Sequence, residues 1–270
     1  MSTTATASTL LASGCHLGSG CGFPAPSLDN FNFTPIFSIG GFHFTKPMLL
    51  ALICSALVCA FFYYAFRAPK LVPRGAQNVG ELGYVFVRDQ VARPMIGKEG
   101  DRYVPFLFSL FFFIWVMNLM SIVPIAAFPV MSKIAFPVSI MLMVYITYWY
   151  QGIKRKGLWG FLKSTIPSGV PWWVMVILIP VEWLRVLLVQ PFTLAVRLFA
   201  NMFAGHMLLA TFMAATWYLT SASIGALFAA GSAVLVVVLT GFEMLIQALQ
   251  AYIFIMLTAQ YIGESYADGH

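Results

Sequence analysis

The chain has 270 residues, of which 60% are hydrophobic and 9% charged, with 15 Lys and Arg against 9 Asp and Glu for a net charge of +6. With a mean hydropathy of +0.86, this composition excludes an ordinary water-soluble domain, which could not cover its exterior with so few charged side chains. The basic residues sit beside hydrophobic runs, at Arg67, Lys70 and Arg74 and again at Lys154, Arg155 and Lys156. That arrangement carries topology and gives no sign of a nucleic-acid partner.

Residues 1–45 are rich in Ser, Thr, Gly and Pro and lack the basic start and apolar core of a cleavable signal peptide. They read as an exported tail, in which Cys15 and Cys21 stand either free or bridged. Apolar spans follow at 47–66, 103–125 and 134–151, each near the ~20 residues that cross a ~30 Å hydrocarbon core. Setting both basic clusters on the cytoplasmic side leaves the N-terminus outside and the C-terminal end, 266–270, in the cytoplasm. Between the first two spans, about 78–96, Val79, Leu82, Val85, Phe86 and Val91 alternate at helical spacing with Glu81, Arg88, Asp89 and Arg93. This is the pattern of an amphipathic helix lying along the inner membrane surface.

Beyond the break at Pro167-Ser168-Gly169-Val170-Pro171, two further spans run from 172 to 218 and from 224 to 262. Both are too long for an upright crossing, since the second alone would extend roughly 58 Å as a helix. Each either folds back as two short helices or stands as one steeply tilted helix held by neighbouring protein. Pro180 and Pro191 allow breaks in the first run, but no turn cluster divides the second, which favours tilt there. The expected fold is therefore an all-α polytopic membrane protein with about five spans in a single membrane domain, 46–265, plus one interfacial helix.

From Ser164 to Gly263 the only formal charges are Glu182, Arg185, Arg197 and Glu243. Glu182 and Arg185, three residues apart, can pair locally. Arg197 has no such neighbour, and an arginine in mid-membrane costs roughly 2.5 to 3.5 kcal/mol even on insertion scales. At 100° per residue Gln190, Thr193, Arg197 and Asn201 share an arc of about 80°, as do Thr240, Glu243, Gln247 and Gln250, while His206 lies opposite Arg197. A structural ion pair between Arg197 and Glu243 would account for the two charges alone. The accompanying rows of amides and hydroxyls, with a carboxylate and an imidazole, are instead what a water-filled or proton-relaying path requires.

The phrases RLFANMFAGH, from Arg197 to His206, and EMLIQALQAYIFIMLTAQYI, from Glu243 to Ile262, resemble subunit a of the rotary F-type ATP synthase. The resemblance extends to Met117-Asn118-Leu119-Met120 with Pro124 and covers roughly 45–265; the tail CHLGSGCGFPAP and the phrase RLFANMFAGH are most like actinobacterial versions. It implies a stator subunit of a bacterial plasma membrane that forms two aqueous half-channels and couples proton translocation to rotation of the c-ring. It is not an enzyme alone and has no cofactor or metal. Its implied partners are the c-ring, the subunit b peripheral stalk, the rest of the ATP synthase and membrane lipid.

By position, the resemblance makes Arg197 the essential cation facing the ring's carboxylate. Glu243 and His206 line the outer half-channel, Gln250 faces Arg197, and Asn201 lies one turn beyond it; Gln247, Thr193 and Gln190 complete the polar path. Some relatives carry an acid where this chain has His206 and a histidine where it has Glu243, so the pair is exchanged here. Others carry an acid at Ser121, and for that reason Ser121 is left outside the expected site. A secondary transporter or a structural scaffold are the other readings, but the chain shows no inverted repeat, phosphate loop, metal cluster or nucleophile constellation.

Overall fold

The computed structural model describes residue 23 and residues 37–39, 42–67, 69–123, 130–164, 171–220 and 224–266. Cys15, Cys21, Pro124, residues 165–170 of the Pro-Gly break and residues 267–270 lie outside them. Among the described residues the one non-helical regular element is a short antiparallel hairpin, β1 (Phe37–Ile39) with β2 (Phe42–Phe44), inside the expected tail. Everything else regular is helical, as the apolar composition requires of backbone that must satisfy its own polar groups in lipid.

Helix α1 (Lys46–Phe66) coincides with the first expected span and is apolar all round. The amphipathic stretch forms α2 (Ala76–Val87), whose Val79, Leu82, Val85 and Phe86 are exposed while Gln77, Gly80 and Val87 are buried. A π-helical turn, Arg88–Ala92, interrupts it before the short turn Arg93–Ile96. The second expected span contains α3 (Val104–Leu119), and the third falls within α4 (Ala135–Ser164). Helix α4 runs past the expected end at 151, so Lys154, Arg155 and Lys156 are helical rather than in a loop. It breaks one residue later at Gly157, whose φ of 70° suits a residue without Cβ.

Helix α5 (Trp172–Leu184), a second π turn (Arg185–Val189) and α6 (Gln190–Leu219) follow one another without a gap. The continuous segment Trp173–Leu219 is 47 residues long, and α7 (Ile224–Tyr266) has 43 residues. Both are continuous, and neither is divided into two short helices. With α1 these make three helices among the described residues that are long and apolar enough to cross a membrane, and α3 is a shorter apolar helix.

Proline explains the second π turn. Gln190 N–H reaches back five residues to Arg185 O, but the next donor in that series would be Pro191, which has none. The carbonyl of Val186 is thereby released, and the Tyr145 hydroxyl of α4 donates to it. The first π turn repeats the logic: Arg93 N–H bonds Arg88 O, and Pro94 follows.

The described residues cluster into two compact units. One comprises Met117–Lys133 and Ala200–Ala248 with the chain up to Ile53; the other comprises Cys54–Val116, Ile134–Phe199 and Leu249–His270. In the first, α6 and α7 are clasped where Thr216 Oγ1 donates to Ser232 Oγ at 3.0 Å and Ser232 Oγ donates to Phe212 O at 3.1 Å. In the second, Val104, Leu107, Ile114, Val144, Phe254 and Ile262 are fully buried.

A charged cluster caps this second unit. Arg88 and Arg93 both fork onto Asp101 at 3.0–3.2 Å, and Arg93 also meets Asp89 at 3.4 Å. These hydrogen bonds, from Arg93 and then Arg88, hold Asp101 well below the usual carboxylate range. The pairing is therefore complete above that range and weakens only as pH falls below it. Nearby, Arg155 reaches Glu99 at 3.8 Å and lies 3.6 Å above the Tyr266 ring, whose hydroxyl is 2.6 Å from that of Tyr103. Gly263 lets the Met95 carbonyl approach so closely that any Cβ would collide with it.

Candidate functional site

The polar stripe of α6 exists because four-residue spacing stacks its members on one helix face. Thr193, Arg197 and Asn201 on that face are exposed, whereas Gln190 at its start is buried at 8% exposure. The Tyr145 hydroxyl, 3.3 Å from Gln190 Oε1, fixes that amide. Thr193 turns its hydroxyl inward, donating to Val189 O at 2.8 Å. Arg197 forms no salt bridge among the described residues. Glu182 and Arg185, by contrast, form the local pair expected of them, at 2.6 Å.

The stripe of α7 is buried. Glu243 is 5% exposed, Gln247 0% and Gln250 3%. Gln247 Nε2 donates to Ser121 Oγ at 2.7 Å and to Glu243 Oε1 at 3.3 Å, and Ser121 Oγ donates to the same Oε1 at 3.4 Å. Both protein hydrogen bonds to the carboxylate thus converge on one oxygen. Glu243 Oε2, Gln247 Oε1 and both amide atoms of Asn118 are buried and without a hydrogen-bond partner among the described residues. Such atoms are costly in a dry interior, and their natural partners are water or a mobile proton.

Helix α6 reaches this cluster at Gly205. A Cβ there would stand 3.2 Å from Glu243 Oε1, so the glycine lets the carboxylate lie against the helix backbone. His206, half-buried, is the next residue along. The structure therefore gathers Glu243 and Gln247 directly and sets Gly205 beside the carboxylate, with His206 the next residue in sequence. Gln190 is bonded by Tyr145, and Thr193 bonds its own helix.

Ser121 belongs in this group although its residue type argued against it. A serine in place of an acid loses the charge yet keeps a hydroxyl that both donates and accepts. Asn118 and Gly205 were also missed as site residues; Gly205 stands inside the quoted RLFANMFAGH phrase, next to His206, and that adjacency was the available signal.

Fold and site together define a polytopic all-α membrane protein in which Arg197, His206 and Glu243 are carried by two very long helices. Residues 48–263 match the family described as ATP synthase A chain. The chain is 47% identical over 262 residues to ATP synthase subunit a of Streptomyces lividans, covering 95% of this chain and 92% of that one. To ATP synthase subunit a of Rhodococcus erythropolis it is 41% identical, with 92% of each chain covered. To that of Frankia alni it is 40% identical, over 92% of this chain and 88% of the other. The chain belongs to the ATP synthase A chain family, in agreement with the resemblance read from RLFANMFAGH and the α7 phrase.

Proposed function

We propose that this chain performs the family's task with Arg197 as the cation that meets a carboxylate of the c-ring, and with Glu243 and His206 as the proton relay of the outer half-channel. As a member of the family it is a proton-translocating stator subunit of a bacterial F-type ATP synthase, active within that complex and not an enzyme alone. The observation that carries the division of labour is the exposure of Arg197 on a long apolar helix, with no salt bridge among the described residues. A cation whose membrane cost is that high needs a partner, and an exposed one finds it in another chain.

Physically, Arg197 favours the ionised form of each arriving carboxylate and so promotes loss of its proton. Its fixed positive charge also bars direct proton flow past it, which leaves rotation as the connection between the half-channels. At the relay, Ser121 and Gln247 hold Oε1 of Glu243 in place, so Oε2 can gain or lose a proton without breaking either bond. Asn201, Gln250, Gln190 and Thr193 extend the polar surface on either side. The subunit b peripheral stalk, an outside N-terminus and a cytoplasmic C-terminus belong to the same reading.

The test is ATP-driven acidification by the reconstituted complex. Arg197→Ala is expected to abolish pumping while the complex still assembles, and pumping retained by that variant sinks the proposal. Glu243→Gln should reduce pumping severely, whereas a scaffold without a proton path would be indifferent to it.

A further inference from the structure

Helix α7 carries two acidic residues, Glu243 and Glu264. Roughly 31 Å of helix at 1.5 Å per residue separates them, about the thickness of the hydrocarbon core. The relay proposed above uses the first and leaves the second without a task. Glu264 stands at the end of α7 where Gly263 lies against Met95 O and Arg155 covers the Tyr266 ring at 3.6 Å. Arg155 belongs to the basic cluster that marks the inner side.

Three observations set Glu264 apart from a carboxylate that only solvates a helix end. It is half-buried, and it forms no salt bridge among the described residues. The charged groups facing it are Arg185 and Glu182. Those two are joined to each other at 2.6 Å, so the cation is already engaged. Gln260 Nε2 donates to Glu264 Oε1 at 3.4 Å, a long and exposed bond that water can replace.

The third observation is position. At 100° per residue Gln250, Tyr261 and Glu264 share an arc of about 60° on α7. Tyr261 is buried, its ring 6.4 Å from that of Tyr145 and 6.1 Å from that of Tyr148 on α4. Tyr145 in turn bonds Val186 O and lies 3.3 Å from Gln190 Oε1, at the foot of the stripe that carries Arg197. Three buried rings here bear hydroxyls that can both donate and accept. They connect Gln190 to the turn of α7 that bears Glu264.

We propose that Glu264 exchanges protons with the inner aqueous phase, as the inner-side counterpart of Glu243; the inference rests on the roles given above to Arg197 and the ring's carboxylate. During ATP synthesis the ring's carboxyl group releases its proton on the inner side, a carboxylate oxygen of Glu264 takes it up, and water of the inner phase receives it. ATP-driven pumping runs the same transfers backwards.

The experiment uses the whole ATP synthase complex carrying this chain, in vesicles whose bath faces the inner side of the protein. Synthesis is driven by a fixed pH difference and potential, and 2-(N-morpholino)ethanesulfonate, an impermeant buffer, is raised in bath or lumen at constant pH and ionic strength. Glu264→Gln is expected to lower the initial rate at least about tenfold in dilute buffer, since positioned proton transfer contributes on the order of a hundredfold or more. Buffer in the bath should restore much of that rate, because a mobile acid–base pair replaces the side chain, and buffer in the lumen should not. A rate near wild type in Glu264→Gln overturns the proposal. So does a loss that bath buffer leaves unchanged, which marks a structural role. Neither result touches the earlier reading, which stands or falls with Arg197→Ala. If Glu264→Gln fails to assemble, Glu264→Asp decides: the shorter acid should support a reduced rate that bath buffer raises, and indifference to that buffer overturns the proposal.

Discussion

The polar stripes of α6 and α7 have nearly the same angular width but opposite surroundings. Arg197 and its neighbours Thr193 and Asn201 face outward from the chain, whereas Glu243, Gln247 and Gln250 are buried within it. The difference separates two ways of keeping an ionisable group in a membrane. A buried carboxylate is held by groups of its own chain, here Ser121 and Gln247. An exposed guanidinium has its side chain available to something that arrives from outside.

The largest effect expected of any substitution is at the outward stripe. Arg197→Lys keeps the charge but loses the planar fork and gains a group that deprotonates more readily when desolvated, so ATP-driven acidification should fall to background. Pumping near the wild-type rate in that variant would make charge alone sufficient. Next comes the buried stripe, where Glu243→Gln should cost at least about tenfold in pumping rate, within the range for loss of a proton-transfer group. The double exchange Glu243→His with His206→Glu should recover more activity than either single exchange, and no recovery would mean that the two side chains do not act as a pair.

Smaller effects probe the holding groups. Gly205→Val places a side chain against Glu243 and should slow pumping through displacement of the carboxylate, with Gly205→Ala milder because its Cβ stands at 3.2 Å. Ser121→Ala removes the hydrogen bond donated to Glu243 and the one accepted from Gln247; the first alone bears on the carboxylate and is of a kind worth about 1 kcal/mol, so a decrease of roughly fivefold or less in pumping rate is expected. Thr193→Val should have the smallest effect, since its hydroxyl is already spent on Val189 O; a large loss there would show that the outward stripe works as a row and not through Arg197 alone.

Much of this was legible in the sequence because lipid imposes simple rules. The span at 47–66 became α1, and the absence of a turn cluster between 224 and 262 correctly marked one unbroken helix. Helical arithmetic likewise grouped Glu243 with Gln247. What it could not supply was cover: a face of a helix can be computed from spacing, but whether it meets lipid, protein or water depends on contacts distant in the chain. Ser121 lies 122 residues from Glu243 and entered the site only through such a contact. The π turns were illegible for a different reason. Arg88–Ala92 and Arg185–Val189 are each followed closely by proline, yet a proline in a helix is equally compatible with a kink, a break or a first turn.

The second π turn also changes how the long helix is held. Between Arg185 and Val189 the backbone lacks the regular four-residue ladder, and Pro191 removes one more rung, so this stretch has fewer regular backbone hydrogen bonds than the helix that follows it to Leu219. Tyr145, donating to the Val186 carbonyl, tethers this turn to α4. The hydrogen bond that the turn's own backbone cannot make to Val186 O is thus supplied from a neighbouring helix, which makes Tyr145 a tether as well as a packing residue.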